Sequence, residues 1–135
     1  GVAWHGKNSG TGSMHGRSRG GIAEVDREDG LRVLELDHLG VLLEAAKEYG
    51  WTPEVFDWFV MHQVRRSHTE GIANTLGIDL DRVFRLYPDH GNIGPAGIPI
   101  VLSKMDEAGM LARGHRIALM GIGSGLNCTM AEVRW

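Results

Sequence analysis

Two positions in the chain carry side chains that could stabilise a developing negative charge. His62, followed by Gln63, comes directly after an apolar run at 57–61, and Asn92 lies farther along within a glycine-rich segment. A neutral imidazole can donate a hydrogen bond to an oxyanion or act as an acid or base, and an amide NH₂ donates without carrying charge. Because ligands bind at strand ends in open α/β sheets, both residues are candidates for a catalytic site.

Each of these residues also has a structural interpretation that its own spacing does not exclude. A histidine at a strand end is often held by hydrogen bonds within the protein, and His62 taken alone favours that interpretation. Asparagine between glycines is typical of tight turns, and Asn92 taken alone favours a turn. The two interpretations therefore stay open for both residues at this level.

A third candidate is the glycine-rich turn that contains Gly121, Gly123, Ser124 and Gly125. Such a turn between two strands allows a ligand or another chain to approach closely, and it is equally compatible with an ordinary hairpin. It does not match a nucleotide-binding fingerprint, because a strand rather than a helix follows it. The turn is therefore a candidate for shaping a site and not for binding a phosphate.

The single cysteine is not a good candidate for a nucleophile. Cys128 alternates with Leu126 and Met130 along an apolar strand, which favours a small buried hydrophobic residue. The histidines do not follow a metal-ligand spacing. We therefore predict no metal site, no cofactor and no complete nucleophilic machinery in this sequence.

The bulk composition is that of a small globular domain with ordinary charge. The 135 residues are 42% hydrophobic and 23% charged, with a formal net charge of -3. This balance argues against a dedicated nucleic-acid-binding protein, although Lys7, Arg17 and Arg19 leave a phosphate-binding loop as a minor alternative. No apolar run is long enough for a membrane span, and one cysteine fits a reducing, cytoplasmic location.

Hydrophobic periodicity predicts a single α/β domain over 1–135, with a truncated strand and a Gly/Ser-rich loop at 1–21 and an α/β core at 22–135. A stripe of leucines at helical spacing predicts the first helix, and Gly50 follows it as a cap. The predicted helices cover 29–49, 66–76 and 96–109, and the predicted strands cover 57–61, 82–86, 115–122 and 126–135. Residues 87–95 are predicted to be a loop. The alternation of helices and strands, ending in a hairpin, predicts a three-layer arrangement.

Taken in order, the motifs over residues 57–135 resemble those of β-ketoacyl-acyl-carrier-protein synthase III, a family of the thiolase superfamily. The resemblance rests on His62-Gln63, then Gly91-Asn92-Ile93-Gly94, then the glycine turn at 121–125 before a final strand. The residues of these motifs are most similar to those of the condensing enzymes of olefin biosynthesis. Two positions depart from the synthase III pattern: Arg65 replaces the usual asparagine, and Ser124 interrupts the glycines.

The resemblance implies a fold and an activity. The chain would be the C-terminal half of a thiolase-like fold, with helices packed on a mixed sheet, and an acyltransferase of lipid metabolism. His62 and Asn92 would be catalytic hydrogen-bond donors to the carbonyl oxygen of a second acyl thioester. Substrate binding would fall to Gln63, Arg65, Gly123, Ser124 and Gly125. The thioester would be acyl-CoA or acyl carrier protein, and no further cofactor is implied.

The resemblance also implies a partner, because the family's nucleophilic cysteine lies in the N-terminal half. We therefore expect an N-terminal half or partner subunit that carries this cysteine, with two such units forming a dimer. The apolar strand predicted at 115–122 supports the same expectation, since it requires more apolar cover than these helices can supply. A non-catalytic subunit that stabilises a catalytic partner is the alternative.

Overall fold

The computed structural model describes residues 2–8, 40, 43–44, 47–123 and 127–135. Its sheet has four strands: β1 (Val2–Asn8), β2 (Trp58–Met61), β3 (Arg116–Gly123) and β4 (Asn127–Arg134). Their order is β1-β4-β3-β2, in which β2 runs parallel to β3 and the other pairs are antiparallel. The predicted mixed sheet is therefore confirmed.

Within residues 62–115, which the structure describes without a gap, three helices lie between β2 and β3: α1 (Arg66–Leu76), α2 (Tyr87–His90) and α3 (Gly97–Glu107). Short 3₁₀ turns lie at Pro53–Val55, Leu80–Arg82 and Gly94–Ala96. The α1 helix ends at Gly77, which adopts φ 68° and ψ 28°, a left-handed conformation that glycine reaches without steric cost. No helix in the described ranges is long and apolar enough to cross a membrane.

The sheet separates two apolar clusters, one on each face. Phe59, Met61 and Met120 belong to the cluster that includes Ile72 and Leu76 of α1. Val60 and Ile117 belong to the other cluster, which includes Val101 and Met105 of α3. Because successive strand residues point to opposite faces, α1 and α3 must lie on opposite sides of the sheet. The predicted three-layer α/β arrangement is confirmed.

The expectation that β3 needs much more cover is wrong for its centre. Ile117, Ala118 and Met120 are fully buried, since α1 and α3 together cover both faces of the β2–β3 pair. The large apolar side chains that remain exposed among the described residues lie outside that centre, and they are Leu43, Tyr49, Val64 and Trp135.

Several predicted boundaries need correction. The predicted strand at 82–86 is a single bridge residue, Val83, opposite Phe59, because a 3₁₀ turn occupies Leu80–Arg82. The predicted loop at 87–95 contains α2, which Pro88 favours because proline fits the first turn of a helix. The first strand extends to Asn8 through pairing with β4, so 6–8 are not loop.

The helix predicted at 29–49 is confirmed only where the structure describes it. Residues 40, 43–44 and 47–49 are helical, Gly50 has φ 67°, and the remaining residues of the prediction lie outside the described ranges. Leu43, which belongs to the predicted apolar stripe, is 60% exposed. The described part of this chain therefore does not cover that side chain. Residues 9–21 of the loop that was predicted at 6–21 also lie outside the described residues.

Candidate active site

His62 lies at the carboxyl end of β2, where the parallel pair β2–β3 ends. Its backbone N–H donates to the carbonyl oxygen of Met120 at 2.9 Å, which continues the pairing by one residue and fixes the side-chain direction. The imidazole is half-buried. Burial lowers the pKa of His62 below its ordinary value of 6.5, and a hydrogen bond with the backbone of Gly94 partly opposes this effect. The neutral imidazole therefore dominates at neutral pH.

Asn92 lies in the exposed turn between α2 and α3. Its side-chain Oδ1 accepts a hydrogen bond from the backbone N–H of Gly94 at 3.0 Å, which forms an Asx turn. This contact occupies the acceptor side of the amide and leaves the Nδ2 group as the outward-facing donor. The turn interpretation and the functional interpretation are thus compatible, because the turn itself orients the amide.

Gly94 links the two candidate donors. The backbone of Gly94 is a hydrogen-bond partner of the His62 imidazole, and the Gly94 N–H donates to Oδ1 of Asn92. Gly91 and Gly94 have φ 63° and φ 62°, which residues with a Cβ rarely adopt. The structure therefore brings His62 and Asn92 to one turn, although they are far apart in sequence.

Gln63 is buried and its amide binds backbone atoms of this chain. Nε2 donates to the carbonyl oxygen of Phe84 at 2.6 Å, and Oε1 accepts from the N–H groups of Leu86 at 2.7 Å and Tyr87 at 3.1 Å. With only 5% of its surface exposed, Gln63 has little surface to offer a substrate. The geometry assigns it to holding the segment before α2, so direct substrate binding by Gln63 has no support here.

Arg65 occupies the N-cap position of α1, three residues beyond His62. Its carbonyl oxygen accepts the N–H of Thr69 at 3.2 Å, and its side chain is exposed. The guanidinium is thus accessible beside the end of β2. Its role in substrate binding stays a prediction.

The glycine turn is described only at its first end. Gly123 pairs with Asn127 and closes the β3–β4 ladder, whereas Ser124 and Gly125 lie outside the described residues. Cys128 pairs with Ile122 on one side and Lys7 on the other, so it is part of the central strand β4. The predicted contribution of the turn to a site stays a prediction. Among the described residues, no group of three or more potential metal ligands occurs.

Two features of the site were not predicted from the sequence. The backbone of Gly94 contacts both His62 and Asn92, and the side chain of Gln63 binds the backbone of the segment before α2. The glycine pattern could have indicated the first, since a Gly-Asn-x-Gly segment permits an Asx turn. The second had no local signal, because the partners of Gln63 lie 21 to 24 residues away.

The mixed sheet has a helical layer on each face, and a histidine at a strand end lies beside an asparagine turn. This combination is that of a thiolase-like condensing-enzyme domain. Residues 46–135 match the family model described as 3-oxoacyl-[acyl-carrier-protein (ACP)] synthase III C terminal. The match covers well over half of the chain, and the chain belongs to this family.

Two kinds of relative agree with that assignment. An acyl-CoA:acyl-CoA alkyltransferase from Xanthomonas campestris pv. campestris is 58% identical over 92 residues, which are 67% of this chain and 27% of the relative. A β-ketoacyl-[acyl-carrier-protein] synthase III from Neisseria gonorrhoeae is 39% identical over 82 residues, which are 61% of this chain and 26% of the relative. The chain thus spans about a quarter of the length of these curated relatives.

Solved structures show the same fold. A single-residue variant of Xanthomonas campestris OleA, bound with cerulenin, superposes with a TM-score of 0.77 at 48% identity. That match covers 82% of this chain and 33% of the OleA chain. Acetamide-bound OleA gives a TM-score of 0.72 at 48% identity and covers 80% of this chain and 34% of that chain. The predicted resemblance to both synthase III and the olefin-type enzymes is confirmed.

Proposed function

We propose that this chain is the C-terminal part of an acyl-thioester condensing enzyme, in which His62 and Asn92 donate hydrogen bonds to the second substrate. The observation that carries the proposal is the shared turn at Gly94, which joins a neutral imidazole at a strand end to an outward-facing amide NH₂. Two uncharged donors at one place suit an oxygen that gains negative charge during reaction. Because a neutral imidazole carries one N–H, His62 would exchange the Gly94 backbone for the substrate oxygen when the thioester binds.

The reaction is a Claisen condensation. The α-carbon of the second thioester, after giving a proton to a base of the complete enzyme or releasing its carboxylate as CO₂, attacks the carbonyl carbon of an acyl group held on a cysteine. A carbon–carbon bond forms, the cysteine thiolate leaves, and a β-ketoacyl thioester results. While the α-carbon is activated, negative charge develops on the thioester carbonyl oxygen, and His62 and Asn92 stabilise this charge. The names of the Xanthomonas relatives favour acyl-CoA over acyl carrier protein as the thioester.

The nucleophile belongs to an N-terminal half or partner chain. Cys128 lies within the central strand β4, and its alternation with Leu126 and Met130 in the sequence favours a small hydrophobic residue over a covalent acyl carrier. This chain covers only about a quarter of the length of its relatives, and Leu43 is 60% exposed. Both observations support a further protein segment or subunit that completes the site and covers this apolar side chain. Two such complete units would associate as a dimer.

The test uses this chain assembled with the cysteine-bearing part and measures formation of the β-ketoacyl thioester from acyl-CoA. We expect His62→Ala to lower the condensation rate by about 10²–10³-fold, the usual cost of losing an oxyanion donor. His115→Ala is the matched control, because His115 is also half-buried but accepts a hydrogen bond from Ala112 just before β3, at the opposite end of the sheet.

The same experiment separates catalysis from a purely structural role. If His62→Ala retains the full condensation rate of the assembled complex, the proposal fails and a non-catalytic stabilising subunit is the better description. A complex that forms no β-ketoacyl thioester, although its cysteine can be acylated, leads to the same conclusion.

A further inference from the structure

Gln63 makes a set of contacts that neither the condensation chemistry nor core packing requires. Its amide is buried, and three hydrogen bonds of 2.6, 2.7 and 3.1 Å connect it to Phe84, Leu86 and Tyr87. An amide that both donates to and accepts from backbone is fixed in orientation as well as position. The segment 84–87 is therefore held at a defined distance from the end of β2.

This anchored segment leads directly to the asparagine turn. Leu86 precedes α2, Tyr87 begins it, and the N–H of Gly91 donates to the carbonyl oxygen of Tyr87 at 3.0 Å. Asn92 is the next residue. A single helical turn thus connects the Gln63 anchor to the proposed donor, and the residue before Gln63 is the other donor, His62.

We propose that Gln63 is a positioning residue that sets the separation of His62 and Asn92, and that it acts on the condensation step rather than on acyl loading. This inference rests on the proposed function. Asn92 itself is exposed, and the two glycines of its turn permit wide backbone freedom. The other described contacts of this segment with β2 are the bridge of Val83 with Phe59 and the apolar packing of Leu86 and Ile93 in the cluster that contains Val60. Gln63 adds the directional polar contacts that apolar packing does not supply.

The consequence is a selective kinetic defect. A displacement of about 1 Å at a catalytic group can cost about 10²-fold in rate. Gln63→Met keeps a side chain of similar length but removes the donor and the acceptor. In the assembled complex we expect the condensation kcat to fall about 10- to 100-fold, while acylation of the partner's cysteine keeps its normal rate.

Arg82→Met is the matched control. Arg82 also donates two side-chain hydrogen bonds to backbone oxygens, those of Pro53 at 2.8 Å and Phe56 at 2.9 Å. Those oxygens belong to the segment before β2, away from the asparagine turn. Both variants are compared per folded molecule, with the folded fraction taken from thermal unfolding. Arg82→Met is expected to lose stability and keep its condensation rate.

Two further variants test whether Gln63 acts through geometry. In an Asn92→Ala background, Gln63→Met should cause no additional loss of condensation, because the donor that it positions is already absent. Gln63→Glu keeps the acceptor for Leu86 and Tyr87, and only its protonated form can donate to Phe84. Its rate per folded molecule, relative to the unchanged protein, should therefore rise as the pH falls, and normalising to the folded fraction removes the effect of a buried carboxylate on stability.

Equal condensation rates for Gln63→Met and Arg82→Met, or an equal fall in acyl loading and condensation, would overturn the inference. If Gln63→Met does not fold, the pH profile of Gln63→Glu decides, and a flat ratio overturns it. Full activity of both His62→Ala and Asn92→Ala would instead refute the proposed function, so the two failures are distinguishable.

Discussion

The two ends of the parallel pair β2–β3 differ in how their polar groups are used. At the amino end, the Asp57 carboxylate accepts the N–H of Arg116 at 2.7 Å, and the Arg116 guanidinium binds Glu132 through two contacts of 2.7 and 3.1 Å. The same guanidinium lies 5.5 Å from the centre of the Phe56 ring. Charges at this end are thus paired and hydrogen-bonded, as buried ionic groups require.

At the carboxyl end, the two candidate donors are uncharged and incompletely used. His62 and Asn92 both contact Gly94, and in the described part of the chain the Asn92 Nδ2 group donates to no protein atom. The polar groups at the amino end are therefore used within the protein, whereas Asn92 at the carboxyl end keeps a donor available for a ligand. This difference supports the proposal that the carboxyl end binds the reacting group.

The largest effect on the condensation rate should come from Asn92→Asp, which changes only the carboxyl end of the parallel pair. Aspartate keeps an oxygen for the Gly94 N–H and so preserves the Asx turn, but it cannot donate and it adds negative charge beside a developing oxyanion. We expect condensation by the assembled complex to fall at least about 10²–10³-fold. The thermal unfolding midpoint should stay unchanged. A large fall in that midpoint would show that Asn92 serves structure first.

The complementary change at the amino end is Glu132→Gln. Glu132 is 6% exposed, and hydrogen bonding by Arg116 is the main cause that lowers its pKa, with Arg134 at 3.3 Å contributing. Losing the charged partner should cost about 1.5–3 kcal/mol in the free energy of unfolding at neutral pH. Condensation by the remaining folded protein should be unaffected.

The pH dependence of this loss follows from the direction of the pKa shift. A carboxylate whose pKa is lowered on folding stabilises the protein above its ordinary value of 4.5, and this stability is lost as the pH falls through the lowered value. The difference between Glu132→Gln and the unchanged protein, followed by urea unfolding, should therefore disappear in acid. Glu107→Gln, which breaks an exposed pair with Lys104, is the control and should change little.

Much of the architecture could be predicted from the sequence because its signals are local. The apolar run at 57–61 and the helical periodicity ending at Gly77 give β2 and α1 close to their observed bounds. The apolar run at 115–122 likewise gives β3. Alternation then places their side chains on the two faces of the sheet, and the observed apolar clusters follow this pattern.

The connection between β2 and the asparagine turn could not be predicted in the same way. The segment at 82–86 has strand-like residues, yet only Val83 pairs, because the amide of Gln63 binds the backbone of Phe84 and Leu86 instead. Such a contact depends on the tertiary arrangement and leaves no periodic signal. The candidate residues His62 and Asn92 were found from their order, whereas the geometry that joins them needed the structure.

The smallest effect contrasts two glycines that need the same backbone freedom at different places. Gly91 has φ 63° and ψ -152°, Gly77 has φ 68° and ψ 28°, and an added Cβ would meet no atom within 4 Å at either position. Alanine should therefore cost only conformational energy, about 1–2 kcal/mol at Gly77 and about 1–3 kcal/mol at Gly91. Both variants should lower the midpoint of urea unfolding. Only Gly91→Ala should also lower condensation per folded molecule, because relief of its strain moves the adjacent Asn92. If Gly77→Ala lowers condensation equally, the activity follows global stability, and the carboxyl end of the sheet has no special role.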